Sequence, residues 1–150
     1  MEIDGIHYRL AENREDIEGA MHLVYANYVD VAYCDRNWFE MYLYRFDLLP
    51  ETRTMVAVRH NEVLGTLTLV FDSNFGIPSD HLYRAELEKL RIADRRIVEL
   101  SKLAVNRNLA RQHFPVLNNL FRLAWLFSSA VRQMTDMCIL IEPSHENFYH

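Results

Sequence analysis

Between Ile6 and Leu10 apolar residues alternate with polar ones, the two-residue period of a short strand. Past a polar corner at 11–14 the period lengthens. Ile17, Ala20, Met21, Val24, Tyr25 and Tyr28 then form one stripe of a helix predicted over 17–32. Asn13 followed by Asp16 marks its N-terminus, with acids in the first turn. A second short helix is predicted over 38–46, presenting Trp38, Tyr42 and Phe46 on one side and broken by Pro50. Strand-forming residues dominate 54–59 and 63–71 around the polar turn His60-Asn61, which predicts an antiparallel pair. A loop over 72–78 leads to an amphipathic helix over 80–91 with Leu82, Leu87 and Leu90 inward. Another strand is predicted over 96–105. Pro115 suits the first turn of a long helix running to Gln133, apolar on most faces and therefore buried. A short apolar strand of the parallel type comes next over 137–141, closed by Pro143.

Tight antiparallel pairing early and helical crossover later predict an α/β chain with a mixed sheet and helices on both faces. A length of 150 residues fits one domain spanning 1–150, and eight Gly and Pro residues are too few for low-complexity material. The start carries Glu2 and Asp4 where a signal peptide would be basic, and the apolar stretch 114–134 contains Asn118, Asn119, Arg122 and Arg132. No membrane span is expected. Cys34 and Cys138 are too few for a disulfide framework, so the expectation is a cytoplasmic protein with reduced thiols. The net charge of −5 argues against a nucleic-acid binder. The charge is uneven: 84–111 holds eight basic residues against four acids, a net of +4 that leaves −9 elsewhere. That run reads either as a solvated surface or as a docking patch for an acidic partner.

The segment 98–105 carries the most chemistry. Alternation on a strand puts Glu99, Ser101 and Leu103 on one face and Lys102 and Ala104 on the other. A carboxylate inside an apolar strand is costly unless paired or used, which leaves two readings: an ion pair with Arg96 or Arg122, or a functional group. Ser101 lacks the flanking glycines of a nucleophile elbow. The seven histidines show no pair at metal-ligand helical spacing, so no metal is expected. The aromatic run from Tyr25 to Phe46 reads as core or as an apolar pocket, with Tyr25, Tyr28, Tyr33 and Trp38 as its candidates.

Glu99, Ser101, Lys102 and Ala104-Val105 resemble the Glu-x-Ser-Arg-x-x-Val signature of autoinducer (acyl-homoserine lactone) synthases, within the GNAT acyltransferase superfamily. The resemblance is closer still to the long-chain N-acyl amino acid synthases. Leu23-Val24-Tyr25 with Tyr28, Leu49-Pro50-Glu51-Thr52 and Gly65-Thr66-Leu67 agree with that group. So do Phe71-Asp72-Ser73, Gly76-Ile77-Pro78, Leu82-Tyr83-Arg84-Ala85-Glu86, and Pro143-Ser144-His145 with Phe148-Tyr149. The resemblance implies a GNAT-like acyl-CoA N-acyltransferase fold and aminolysis of an acyl thioester. It implies a medium- or long-chain acyl group moving to the amine of an amino acid or similar small acceptor, with Glu99 as general base. Backbone groups around Ser101, Leu103, Ala104 and Val105 would bind the acyl carbonyl and its oxyanion. Tyr149 matches the tyrosine that protonates the leaving thiolate; its other reading is packing at a helix start.

One departure bears on the donor. Ordinary acetyl-CoA-dependent members place a glycine-rich loop at the start of the long helix, where backbone N–H groups hold the pyrophosphate. Here the stretch is Arg111-Gln112-His113-Phe114-Pro115-Val116, with no glycine. Pro115 removes a donor and Phe114 obstructs close approach. No permanently bound cofactor is expected, and the donor read here is the phosphopantetheine thioester of an acyl carrier protein, with acyl-CoA as the alternative. Acidic carriers of that kind would dock on Lys102, Arg107 and Arg111. Lys102, where the signature has arginine, cannot offer a bidentate fork to a carboxylate or phosphate. The rival functions are an acetyl-CoA-dependent acetyltransferase, an autoinducer synthase and an inactive acyl-carrier-binding module. Resembling proteins continue beyond the Phe148-Tyr149 pair with two closing strands. The expectation is therefore either a truncated piece or a neighbouring chain, as in a homodimer, covering the open sheet edge.

Overall fold

A computed structural model describes residues 1–141, without the side chains of residues 110–112. Six strands form one mixed sheet in chain order: β1 (Glu2–Ile3), β2 (Ile6–Leu10), β3 (Arg53–Arg59), β4 (Glu62–Phe71), β5 (Ile97–Val105) and β6 (Asp136–Ile139). All neighbours pair antiparallel except β5 and β6, which run parallel. The parallel step needs a crossover, and α3 (His113–Leu126) supplies it, continued by a wider turn over Phe127–Val131.

The sheet is covered on both faces because its strands are apolar on both. On one side Val116, Leu117, Leu120 and Ala124 of α3 pack on Tyr8, Met55, Leu67, Leu69, Val98 and Leu100. On the other, Ala20 of α1 (Arg14–Asp30) covers Val56 and Val58, while Leu87 of α2 (Asp80–Ile92) joins Phe46, Ile77, Val70 and Ile97. No described helix is long and apolar enough to cross a membrane.

Helix α1 starts as its sequence predicts. The Asn13 side chain accepts from the Asp16 N–H at 2.8 Å, and buried Asp16 is gripped by the Arg9 guanidinium at 2.8 and 2.9 Å. The short helix expected over 38–46 does not form. Tyr25 Oη holds both backbone groups of Asn37, the Asn37 amide bonds Met41 in both directions, and the Tyr42 N–H donates to Met21 O of α1. Those bonds to α1 and to a local Asn outcompete a helix, leaving only a single tight turn over Arg45–Leu48.

Helix α3 crosses β4 at Gly65. A Cβ there would lie 2.6 Å from Val116 Cγ1 and 3.0 Å from Leu120 Cδ1. Gly65→Ala must therefore push α3 off the sheet. Its expected cost is about 1–3 kcal/mol, read as a lower urea midpoint with an unchanged slope.

Candidate active site

The site is built on an irregularity of β5. Thr68 pairs with Ser101 and Thr66 with Ala104, so Lys102 and Leu103 together face Leu67. The extra residue makes a bulge, with Lys102 at φ +50°, a left-handed conformation that a side chain adopts only when its surroundings enforce it. The bulge resets the alternation. Glu99 and Lys102 share the α1/α2 face, where Glu99 is bonded beside Ile77 and Lys102 beside Phe46. Leu103 packs with the α3-side core. The expectation that Leu103 joins Glu99 while Lys102 takes the opposite face is thus corrected, because a bulge shifts the period by one residue.

At the same level β6 leaves β5. Their pairing runs from Ile97–Asp136 to Leu100–Ile139 and stops there. At its other end the pair is clamped by Arg95, whose guanidinium grips Asp136 at 2.6 and 2.8 Å. Beyond Leu100 the strands splay around a cleft of about 480 Å³, lined by Glu99 to Val105 on β5, by Ile139 to Ile141, and by Tyr28, Tyr33, His113 and Leu117.

Glu99 is 2% exposed and accepts a hydrogen bond from the Ser79 N–H at 2.7 Å, and the Ser79 hydroxyl also favours its ionised form. It forms no ion pair among the described residues, so neither Arg96 nor Arg122 neutralises it. Burial pushes its carboxyl above the usual carboxylate range, and the Ser79 hydrogen bond opposes that shift. Cys138 stands opposite Glu99 on β6, and burial beside that carboxylate pushes its thiol up to about 12.

Lys102, 8% exposed, pairs with Asp47. Asp47 is fixed by a second bond, accepting from the Tyr44 N–H at 2.7 Å. Burial lowers the Lys102 ammonium pKa and Asp47 raises it. Lys102 also walls a second cavity of about 460 Å³, between α1 and the sheet. That cavity is lined by Ile17, Met21 and Val24 and by the polar groups of Asp47, Thr54, Thr66 and Thr68.

The fold brings Glu99, Ser101, Leu103, Ala104, Val105, Tyr28 and Tyr33 to one cleft. It leaves others out. Trp38 is 91% exposed, meets Phe39 edge-on, and is absent from the lining of both cavities. Tyr25 is buried, and its hydroxyl fastens Asn37. Lys102 is no docking residue, being buried and paired. Arg107 is half exposed and bonded to Asp30 at 2.7 Å; the Arg111 side chain and Tyr149 lie outside the described residues. The basic run also loses its surplus on folding. Asp47, Asp72, Asp30 and Asp136, all outside 84–111, neutralise Lys102, Arg91, Arg107 and Arg95. Asp47 and Ser79 escaped the sequence reading. Asp47 is one acid in a loop whose partner comes from 55 residues away, and Ser79 acts through its backbone.

The family model of the N-acyl amino acid synthase FeeM matches residues 19–150. Among solved structures, FeeM from uncultured soil microbes superposes with a TM-score of 0.81 at 23% identity, covering 96% of this chain and 75% of that one. An acyl-CoA N-acyltransferase from Pseudomonas aeruginosa gives 0.67 at 13% identity, covering 96% and 84%. An aminoglycoside acetyltransferase from an uncultured soil metagenomic sample gives 0.62 at 13%, covering 99% and 88%. No curated protein sequence matches the chain.

The buried charges set two expected outcomes. Asp47→Ala strands the Lys102 ammonium and should cost about 3–5 kcal/mol in urea unfolding, most of it recovered in the Asp47→Leu, Lys102→Met double variant. Glu99 has a raised folded-state pKa, so its ionised form destabilises the fold, and the penalty grows as pH rises through that pKa. Glu99→Gln should therefore melt higher than the native protein at pH 8. The difference should shrink as pH falls toward the ordinary carboxylate range, as measured by circular dichroism.

Proposed function

The chain belongs to the FeeM family of N-acyl amino acid synthases, an N-acyltransferase with a GNAT-like fold, and from that premise we propose its donor, acceptor and acid–base group. The donor is a medium- or long-chain acyl thioester on an acyl carrier protein, and the acceptor is the amine of an amino acid or a similar small molecule. One observation carries the reading: a buried carboxylate in no ion pair among the described residues stands where two strands splay around an apolar cleft.

The acyl chain enters that cleft with its thioester carbonyl beside the β5 bulge. The Asn106 N–H donates to Leu64 O on β4, so by alternation the N–H group of Val105 turns toward the cleft. It is the donor for the oxyanion, beside the bulge residues Lys102 and Leu103. The neutral amine attacks the carbonyl carbon, its proton passing to Glu99 directly or through one water. The tetrahedral intermediate then expels the thiolate, the C–S bond breaking as the amide forms. A raised carboxyl pKa suits this base, because proton transfer is most effective when donor and acceptor are closely matched. The acceptor reaches the carbonyl from the α1 side, where Tyr28 and Tyr33 line the same cleft as Glu99. Tyr149, the proposed acid for the thiolate, belongs to the undescribed residues.

The carrier-bound donor is favoured over CoA by the start of α3. Pro115 withholds an N–H from its first turn and Phe114 is exposed there, so a pyrophosphate finds fewer backbone donors.

The test supplies dodecanoyl-loaded carrier protein or dodecanoyl-CoA with a mixture of the proteinogenic amino acids and detects products by mass spectrometry. N-acyl amino acids should form faster from the carrier-bound donor. Absence of amide product with both donors would overturn the reading. Glu99→Gln should lower kcat/KM by about 100-fold or more while staying folded.

A further inference from the structure

We propose that Arg91 is a positioning residue for Glu99: by tying both ends of the 72–80 loop to α2, it holds the Ser79 N–H against the Glu99 carboxylate. The geometry stands by itself, and its catalytic consequence rests on Glu99 being the base.

Arg91 lies in the last turn of α2 and never touches Glu99. Its guanidinium donates to both oxygens of Asp72 at 2.7 and 2.8 Å and to both oxygens of Asp80 at 2.7 and 2.8 Å, with a further bond to Glu88 at 2.8 Å. Asp72 opens the loop just after β4, and its own N–H donates to Ile97 O at 3.0 Å. Asp80 ends the loop, and its Oδ2 also accepts from the Ile77 N–H at 2.7 Å. One planar fork thus closes the loop into a ring. Between its ends, buried Ile77 is anchored among Val70, Leu87 and Ile97. Gly76, at φ +71°, leaves room for the Asp80 carboxylate, which a Cβ would meet at 2.4 Å. Asp80 is held below the usual carboxylate range by Arg91, so the tether stays ionised through neutral pH.

Ser79 is the residue before Asp80. Its side chain makes no capping bond to α2, and its hydroxyl acts on Glu99 together with its N–H, so the placement of both donors is set by the loop. Other groups facing Glu99 are Asp80 and His81 from the first turn of α2 and Cys138 from β6, while β4 presents Val70. Lys102 is turned to Asp47. None of these replaces the Ser79 donor. If the ring opens, the buried carboxylate loses the hydrogen bond that stabilises its ionised form, and its pKa must rise.

The test is a titration of Glu99 itself, by carboxyl carbon NMR of protein labelled at glutamate Cδ, with the resonance identified by its loss in Glu99→Gln. Arg91→Met should move its midpoint up by about one pH unit, a tenfold change in ionisation. The midpoint should also stay above the native one in the Arg91→Met, Asp72→Asn, Asp80→Asn triple variant, where the uncovered carboxylates no longer repel Glu99, a repulsion that salt would screen only weakly in a buried site. An unmoved midpoint in folded Arg91→Met, or a shift abolished in the triple variant, would overturn the proposal. Should Arg91→Met not fold, Arg91→Lys is read identically, because an ammonium cannot fork to two carboxylates. Undiminished acyl transfer by Glu99→Gln would remove the base role and leave the titration result standing.

Discussion

The bulge at Lys102 is the constraint on which the rest depends. β5 must stay paired with β4 along its whole length and yet let go of β6 after Leu100. An inserted residue reconciles the two demands by bending one strand while its antiparallel ladder resumes at Ala104. A lysine at positive φ costs on the order of 1–3 kcal/mol. It persists because Asp47 grips the side chain and the ladder fixes the backbone on either side. The bulge has three geometric consequences. It brings the two charged residues of β5 to one face, sends Leu103 to the α3-side core, and opens a cleft where sheet hydrogen bonds end.

Glu99 and Asp47, two acids on the same face of the sheet, then take different fates. Asp47 has the ammonium and a backbone donor, and is occupied by both. Glu99 has Ser79 and, among the described residues, no ion-pair partner. Asp47 engages the cation of β5, and Glu99 keeps a carboxyl that burial holds above the usual range. In the proposed reading, environment and not residue type separates the structural acid from the chemical one. The Arg91 ring adds a counterweight, one fixed donor that keeps the buried charge tolerable.

Most of the fold was legible because hydrophobic period and turn chemistry are local. The Asn13 cap, the hairpin at His60-Asn61 and the crossover into α3 all appear where the pattern puts them. The misreadings share a cause in partners far along the chain. The 38–46 segment has helical spacing, but Met21 and Tyr25 claim its backbone. Alternation along 98–105 was a sound rule broken by one inserted residue that only the pairing with β4 exposes. The basic run illustrates the same limit in electrostatics. Charge counted along the chain ignores the acids folding brings to it, and Asp47 and Asp136 come from 55 and 41 residues away. Glu99 was legible for the opposite reason, since an acid inside an apolar strand is anomalous before any partner is known.

A shared architecture does not by itself choose the donor. An acyl-CoA N-acyltransferase and an aminoglycoside acetyltransferase adopt this fold at 13% identity, so splayed strands alone do not select an acyl carrier. Selection must lie where the chains can differ without disturbing the sheet. The start of α3 is such a place: its first N–H groups have no partner within the helix, and Val116 and Leu120 already secure the packing against Gly65. There Pro115 withholds one N–H donor, and exposed Phe114 adds bulk at little expense to the core. In the proposed reading the cleft and its buried carboxylate act on the thioester, so donor choice and chemistry reside on different elements, α3 and β5.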